Sequence, residues 1–218
     1  MLQLLQRWLA GASSAAIWDL RDYPPATPPH LGSGAQLSDS QAQQNWAWFQ
    51  TALPERLQIV RQWLLAHGGP DPQALQGAAY AKALNGWAKQ HWSRLPPAAR
   101  LPAHPPWPAV PRHGAYIVYS LLGDLALTLG EAVRQGNAHW RWGLNLDAID
   151  LADGMHSSRR VVLLAEMRHP TPETREVVID LEAMIVRDYE FPNSPNFSYL
   201  EVWARTVADA ISGRDYGA

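Results

Sequence analysis

The chain has 218 residues, 47% hydrophobic and 17% charged, which excludes global disorder, since a disordered chain combines weak hydrophobicity with strong net charge. It contains no cysteine, which excludes disulfides, thiolate metal sites and a cysteine nucleophile, and a reducing cytoplasm is the expected location. The formal net charge of -2 excludes the strongly basic surface of a nucleic-acid binder, and it is unevenly divided: residues 1–109 hold eight Lys/Arg against five Asp/Glu, residues 110–218 ten against fifteen.

The opening MLQLLQRWLAGASSA has small residues where a signal peptide would be cleaved, but Arg7 interrupts its apolar run and no basic cluster precedes it. It reads as a short amphipathic helix over residues 2–9. YPPATPPHLGSG, residues 23–34, has four Pro and two Gly and predicts an exposed loop. Ser38 and Asp39 are N-cap candidates for a helix running through WAWFQ. Pro54 should break that pattern before a second helix over residues 55–67, with Leu57, Val60 and Leu64 on its apolar face and Gly68-Gly69 at its end. Asp71-Pro72 predicts another N-cap with Pro in the first turn, opening a helix to about residue 92. The segment 95–111 holds seven Pro and reads as an extended connector over the surface, with Trp107 clamping it to the body.

YIVYSLLGDLALTLGEAVR, residues 116–134, is the longest apolar stretch with helical spacing. At roughly 100° per residue, Ser120, Asp124, Thr128 and Glu131 share one narrow polar sector, and the rest of the wheel is apolar. Such a helix is enclosed by other elements, with only that strip left for solvent or for recognition. Gly123 and Gly130, seven apart, should leave a groove for a neighbour's backbone. The polar interruptions argue against a membrane span, which needs about 20 predominantly apolar residues.

Beyond Gly136-Asn137 the period changes. HWRWGLNLD alternates Trp140, Trp142, Leu144 and Leu146, a strand pattern; residues 147–158 form a polar loop; RRVVLLAEM reads as a buried strand and EVVIDLEAMIV as a third. FPNSPN is a loop, and residues 197–211 make a final amphipathic helix with Leu200, Trp203, Val207 and Ile211 in register. The expected fold is α+β: a helical N-terminal part over 1–94, a Pro-rich connector over 95–112, and a part over 113–218 in which an antiparallel sheet of at least three strands carries the central and C-terminal helices. All of it is expected to form a single domain over 1–218.

Catalytic signatures are missing: the sequence has no G-x-S-x-G, H-E-x-x-H, P-loop or dinucleotide fingerprint. Asp147, Asp150 and Asp153, with His156 after them, are the only local cluster of hard metal ligands, but their spacing is not that of a calcium loop, and turn-forming, solvated aspartates are the simpler reading. No metal or cofactor is expected. His139 and His169 are isolated base candidates, and Glu166 and Asp180, on adjacent strands, are a candidate carboxylate pair.

From LLGDLALTLGEAVRQGNAHWRW, residues 121–142, into SRRVVLLAE, the chain resembles small cytoplasmic immunity proteins that accompany bacterial antagonistic toxins, in which a helix with a Leu-Gly-Glu run leads into a Trp-containing strand. The resemblance covers residues 115–211. It implies a binding protein that neutralises one cognate toxin by tight association, with no catalytic residues, no membrane and no nucleic acid involved. The residues expected to meet that partner are Asp147, Asp150 and Asp153 of the acidic loop, Trp140 and Trp142 as anchors, and Asp124 and Glu131 on the central helix. Two other readings stand beside it: a small acid/base hydrolase or transferase using Asp, Glu and His from residues 139–180, and a scaffold subunit of an assembly.

Overall fold

Ser38 starts the first long helix: its side chain accepts from the Gln41 backbone N–H, and Gln41 reaches back to the Ser38 N–H, a reciprocal capping box. The computed structural model describes residues 16–97, 106–166, 176–193 and 201–213; the expected helix over 2–9 lies outside them. Helix α1 (Asp39–Ala66) runs straight through Pro54. Proline removes one helical N–H, but Pro54 and Gln50, whose carbonyl loses that donor, both lie on an exposed face where water can replace it. Two expected helices are therefore one. Asp71 does not open the next helix. Its carboxylate takes a forked pair of bonds from Arg61, both at 2.8 Å, and one from the Gln73 N–H at 2.9 Å, which organises a turn, and α2 (Gly77–His91) begins later.

The central helix α3 (Val118–Gly136) is enclosed as its composition demands, and α1, α2 and two later helices all pack on it. By length and hydropathy alone the stretch Gly114–Gly136 could cross a membrane; in the fold it is mostly buried by protein. It leads into β1 (Arg141–Leu144), the short helix α4 (Ala148–Ala152), β2 (Val161–Glu166) and β3 (Glu176–Ile179), an antiparallel sheet ordered β1-β2-β3. Trp142 stands opposite Leu163, and Leu164 opposite Val178. The third strand is shorter than expected. Asp180 accepts the Ala183 N–H at 2.9 Å and caps α5 (Leu181–Glu190), so LEAMIV is helical and buries Leu181, Ile185 and Val186. The C-terminal helix α6 (Val202–Ser212) leans on α2 and α3, and reaches the approach to β1 where Trp140 Nε1 donates to the Ala210 carbonyl at 3.0 Å. One apolar core runs from Trp18 to Ala210 through every layer. The protein is α+β, with a central helix and a C-terminal helix.

Residues 23–34 are not an exposed loop but a strap packed across α3. Tyr23 and Ala26 are buried; the Ala26 N–H donates to Ser120 Oγ at 2.8 Å, Gly32 to the Pro108 carbonyl at 2.7 Å and Gly34 to the Ser158 carbonyl at 2.8 Å. An irregular segment is normally kept at the surface by its unpaired N–H groups. Here the four prolines remove donors, and the Ser120 side chain and the backbone carbonyls of Pro108 and Ser158 take the N–H groups of Ala26, Gly32 and Gly34.

Candidate functional site

The polar strip of α3 is turned into the fold over three of its four residues, and only Glu131 is partly exposed. Ser120, Asp124 and Thr128 are all at most 2% exposed, and their hydrogen-bonding capacity is used inside the fold. Asp124 takes Arg56 Nε at 3.0 Å and Arg56 Nη2 through its two oxygens, and the Tyr23 hydroxyl donates to Oδ2 at 2.5 Å. Thr128 accepts the Tyr80 hydroxyl at 2.8 Å. Burial pushes the Asp124 carboxyl up to about 6, against the pull of Arg56 and Tyr23. Asp124 is thus buried, with its carboxylate committed to Arg56 and Tyr23 inside the fold and not presented at the surface. The strip was visible in the sequence, but not that Arg56, Tyr23 and Tyr80 would cover it.

The two helix glycines admit side chains, not a neighbour's backbone. A Cβ at Gly130 would lie 2.0 Å from the Trp142 ring, and one at Gly123 would lie 2.9 Å from Arg112 Nη1. Trp142 rests on Gly130 and donates Nε1 to Glu131 at 2.8 Å, while Glu131 also pairs with Arg134 at 2.7 Å. Trp140 is 2% exposed. Trp140 and Trp142 are therefore not exposed anchors, and Glu131 is already engaged with Trp142. Among the described residues every tryptophan is buried or half-buried.

The acidic loop is different. Asp147 Oδ1 accepts the N–H groups of Ile149 at 2.8 Å and Asp150 at 3.2 Å, which caps α4. Asp150 receives Asn145 Nδ2, and Asp153 stays exposed. Folding this segment into one helical turn brings Leu146, Ile149 and Met155 outward at 42%, 40% and 50% exposure, three of the seven large exposed apolar side chains among the described residues. Exposed apolar groups clustered within a polar rim mark an interaction surface far more often than single ones do. Beside them lies a hollow of about 520 Å³ whose wall includes Asp147, Asp150, Met155, Glu176 and Asp180. Glu176 and Val178 come from β3, which stands at the edge of the sheet. Sequence reading found the three aspartates; it took Leu146 as the end of an alternating strand that in fact stops at Leu144, and no pattern marked Ile149 or Met155.

The two carboxylates considered for acid/base chemistry do not converge. Glu166 is exposed at the end of β2 opposite Glu176, whereas Asp180 turns to Arg160, where burial still raises its carboxyl above the ordinary value. His139 is exposed, and His169 lies outside the described residues. Among the described residues no group of three or more His, Asp or Glu side chains comes together to hold a metal ion. Set against known protein families, characterised proteins and solved structures, the chain shows no significant match to any of them.

Proposed function

We propose that this protein is a dedicated binding protein of the immunity type, which neutralises a cationic bacterial toxin in the cytoplasm by docking it on the acidic loop and the β3 edge. The observation that carries the reading is the juxtaposition at residues 146–156: three exposed apolar side chains set among Asp147, Asp150 and Asp153, over a hollow with Glu176 on its wall. The acids would steer a basic partner to this face and raise the association rate, and burial of Ile149 and Met155 would slow release. The outer edge of β3, which pairs with no other strand among the described residues, adds main-chain donors and acceptors for a partner strand.

The test is co-expression with the product of the adjacent reading frame, measuring complex formation, rescue of growth and the two rate constants. Asp153→Lys combined with Glu176→Lys should slow association and flatten its salt dependence, while leaving the α4 cap at Asp147 intact. Met155→Asp should act on dissociation, speeding it by about 30-fold if Met155 is a hot spot worth about 2 kcal/mol. Unaltered rates at low salt for the folded double-Lys variant would remove this face from the binding model.

A further inference from the structure

The alternation of β3 divides its side chains between two surroundings. Val177 and Ile179 pack on the hydrophobic core, whereas Glu176 and Val178, on the opposite face, line the hollow beside the acidic loop. The inner edge of β3 pairs with β2, Leu163 opposite Ile179 and Glu166 opposite Glu176, and its outer edge pairs with no strand among the described residues. On such an edge every second residue turns its N–H and C=O away from the sheet. A strand added there, about 4.8 Å further out, continues both faces: its residues opposite Glu176 and Val178 stand on the side of the hollow, and those between them on the side of the core.

The hollow decides which side chains suit that added strand. Its wall carries the carboxylates of Asp147, Asp150, Glu176 and Asp180 together with Ile149 and Met155, and among the described residues no Lys or Arg lines it. Asp180 is matched by Arg160, whose side chain is only 7% exposed, but Glu176 is matched by Arg141, whose side chain is 57% exposed. An exposed pair of that kind contributes at most about 1 kcal/mol, so Arg141 yields to a better-placed cation. Glu166 opposite Glu176 is a like-charge pair across the sheet, which a cation on the other side of Glu176 relieves. Lys and Arg also bring an apolar stem suited to Ile149 and Met155, with the charged head left for the carboxylates. A second copy of this chain is the poorer occupant of the edge, because it brings the same acids. A partner helix spends its backbone groups within itself and leaves the outward N–H and C=O groups of β3 unmatched.

We propose that the docking partner contributes an extended strand that pairs with the outer edge of β3, with a Lys or Arg opposite Glu176 and an apolar residue opposite Val178. This rests on the docking reading above and names the element that is recognised. It is tested on the full chain without the partner, by NMR titration with the peptide acetyl-TKTVTKT-amide, whose palindromic pattern offers Lys and Val at the required alternation in either direction. The peptide should shift the amide resonances of residues 176–179, bind at low salt with a Kd below about 1 mM, and bind about tenfold or more tightly than acetyl-TETVTET-amide. Two further forms, N-methylated either on Lys and Val or on the inner Thr residues, separate strand pairing from plain charge attraction. One set of N–H groups faces β3 and the other faces away, so one methylated form should lose binding and the other keep it. Glu176→Lys should weaken binding of the unmethylated peptide by about fivefold or more. No binding of the Lys peptide, equal binding of the Glu peptide, equal affinity of the two methylated forms, or undiminished binding by folded Glu176→Lys would each overturn strand addition. The two readings fail separately. A cognate partner whose binding depends on Asp153 and Glu176 while the peptide does not bind keeps the docking face and removes the strand; a peptide that binds where no toxin does keeps the edge and removes the immunity reading.

Discussion

Replacing Arg56 by Met should convert the most deeply buried ion pair into an uncompensated carboxylate. Arg56 and Asp124 are 6% and 2% exposed, and the pair lies at the crossing of α1, α3 and the strap. Removing one partner of a buried pair costs about 3–5 kcal/mol, a large share of the roughly 5–15 kcal/mol that holds a domain together. For a chain of this length that is a fall in melting temperature on the order of 6–20 °C. The loss should depend on pH in a definite sense. Burial already raises the folded-state carboxyl of Asp124 to about 6, above its ordinary value of 3.8, so the folded state binds the extra proton. Its contribution to stability is fully present below the unfolded value and is lost as pH rises through the folded one. Without Arg56 the folded value moves further up, so the deficit of Arg56→Met relative to the unmodified protein should be larger at pH 8 than at pH 5. Adding Asp124→Asn to Arg56→Met should restore about 2 kcal/mol or more at pH 8, because the amide is neutral and its oxygen still accepts the Tyr23 hydroxyl. Urea denaturation followed by tryptophan fluorescence measures all three proteins. A deficit that does not change with pH, or a double variant less stable than Arg56→Met alone, would refute the reasoning.

Two glycine-to-alanine changes should have opposite signs in a thermal melt. Gly130→Ala drives a methyl into the Trp142 ring and should cost about 1–3 kcal/mol, whereas Gly86→Ala in α2, with nothing within 4 Å of its Cβ, should gain about 0.5–1 kcal/mol from chain entropy. Asn85 is 0% exposed and neither of its amide atoms finds a hydrogen-bond partner among the described residues, so Asn85→Leu, of similar volume, should raise stability by about 1–3 kcal/mol. Because one core joins Trp18 to Ala210, the full chain should melt in a single transition and residues 113–218 alone should be poorly soluble; a sharply melting monomeric fragment would contradict that.

The candidate docking face and the packing around Trp142 differ in how they are assembled. The first is local, since α4 and β3 lie within about thirty residues of one another, so its acids could be read along the chain. The second draws Phe49 from α1, Gly130 and Glu131 from α3 and Trp142 from β1. No spacing rule connects those positions.

By itself the sequence determined the elements whose signal is periodic or local. The apolar circumference of residues 116–134 required an enclosed helix, the continuous apolar run VVLL and the alternation from Trp140 to Leu144 required strands, and the absence of cysteine removed a whole chemistry. Local signals failed where a distant partner decided. Pro54 reads as a breaker until its face is known to be wet; the prolines of residues 23–34 read as a surface loop until Ser120, Pro108 and Ser158 are seen to take its N–H groups. Asp124 reads as a solvent edge because a single helix offers no better place for a carboxylate, and only tertiary structure brings Arg56 from 68 residues and Tyr23 from 101 residues away to compensate it. Periodicity reports which side of an element differs from the other. Whether the polar side meets water or another polar group depends on long-range contacts, and these carry no imprint on neighbouring residues.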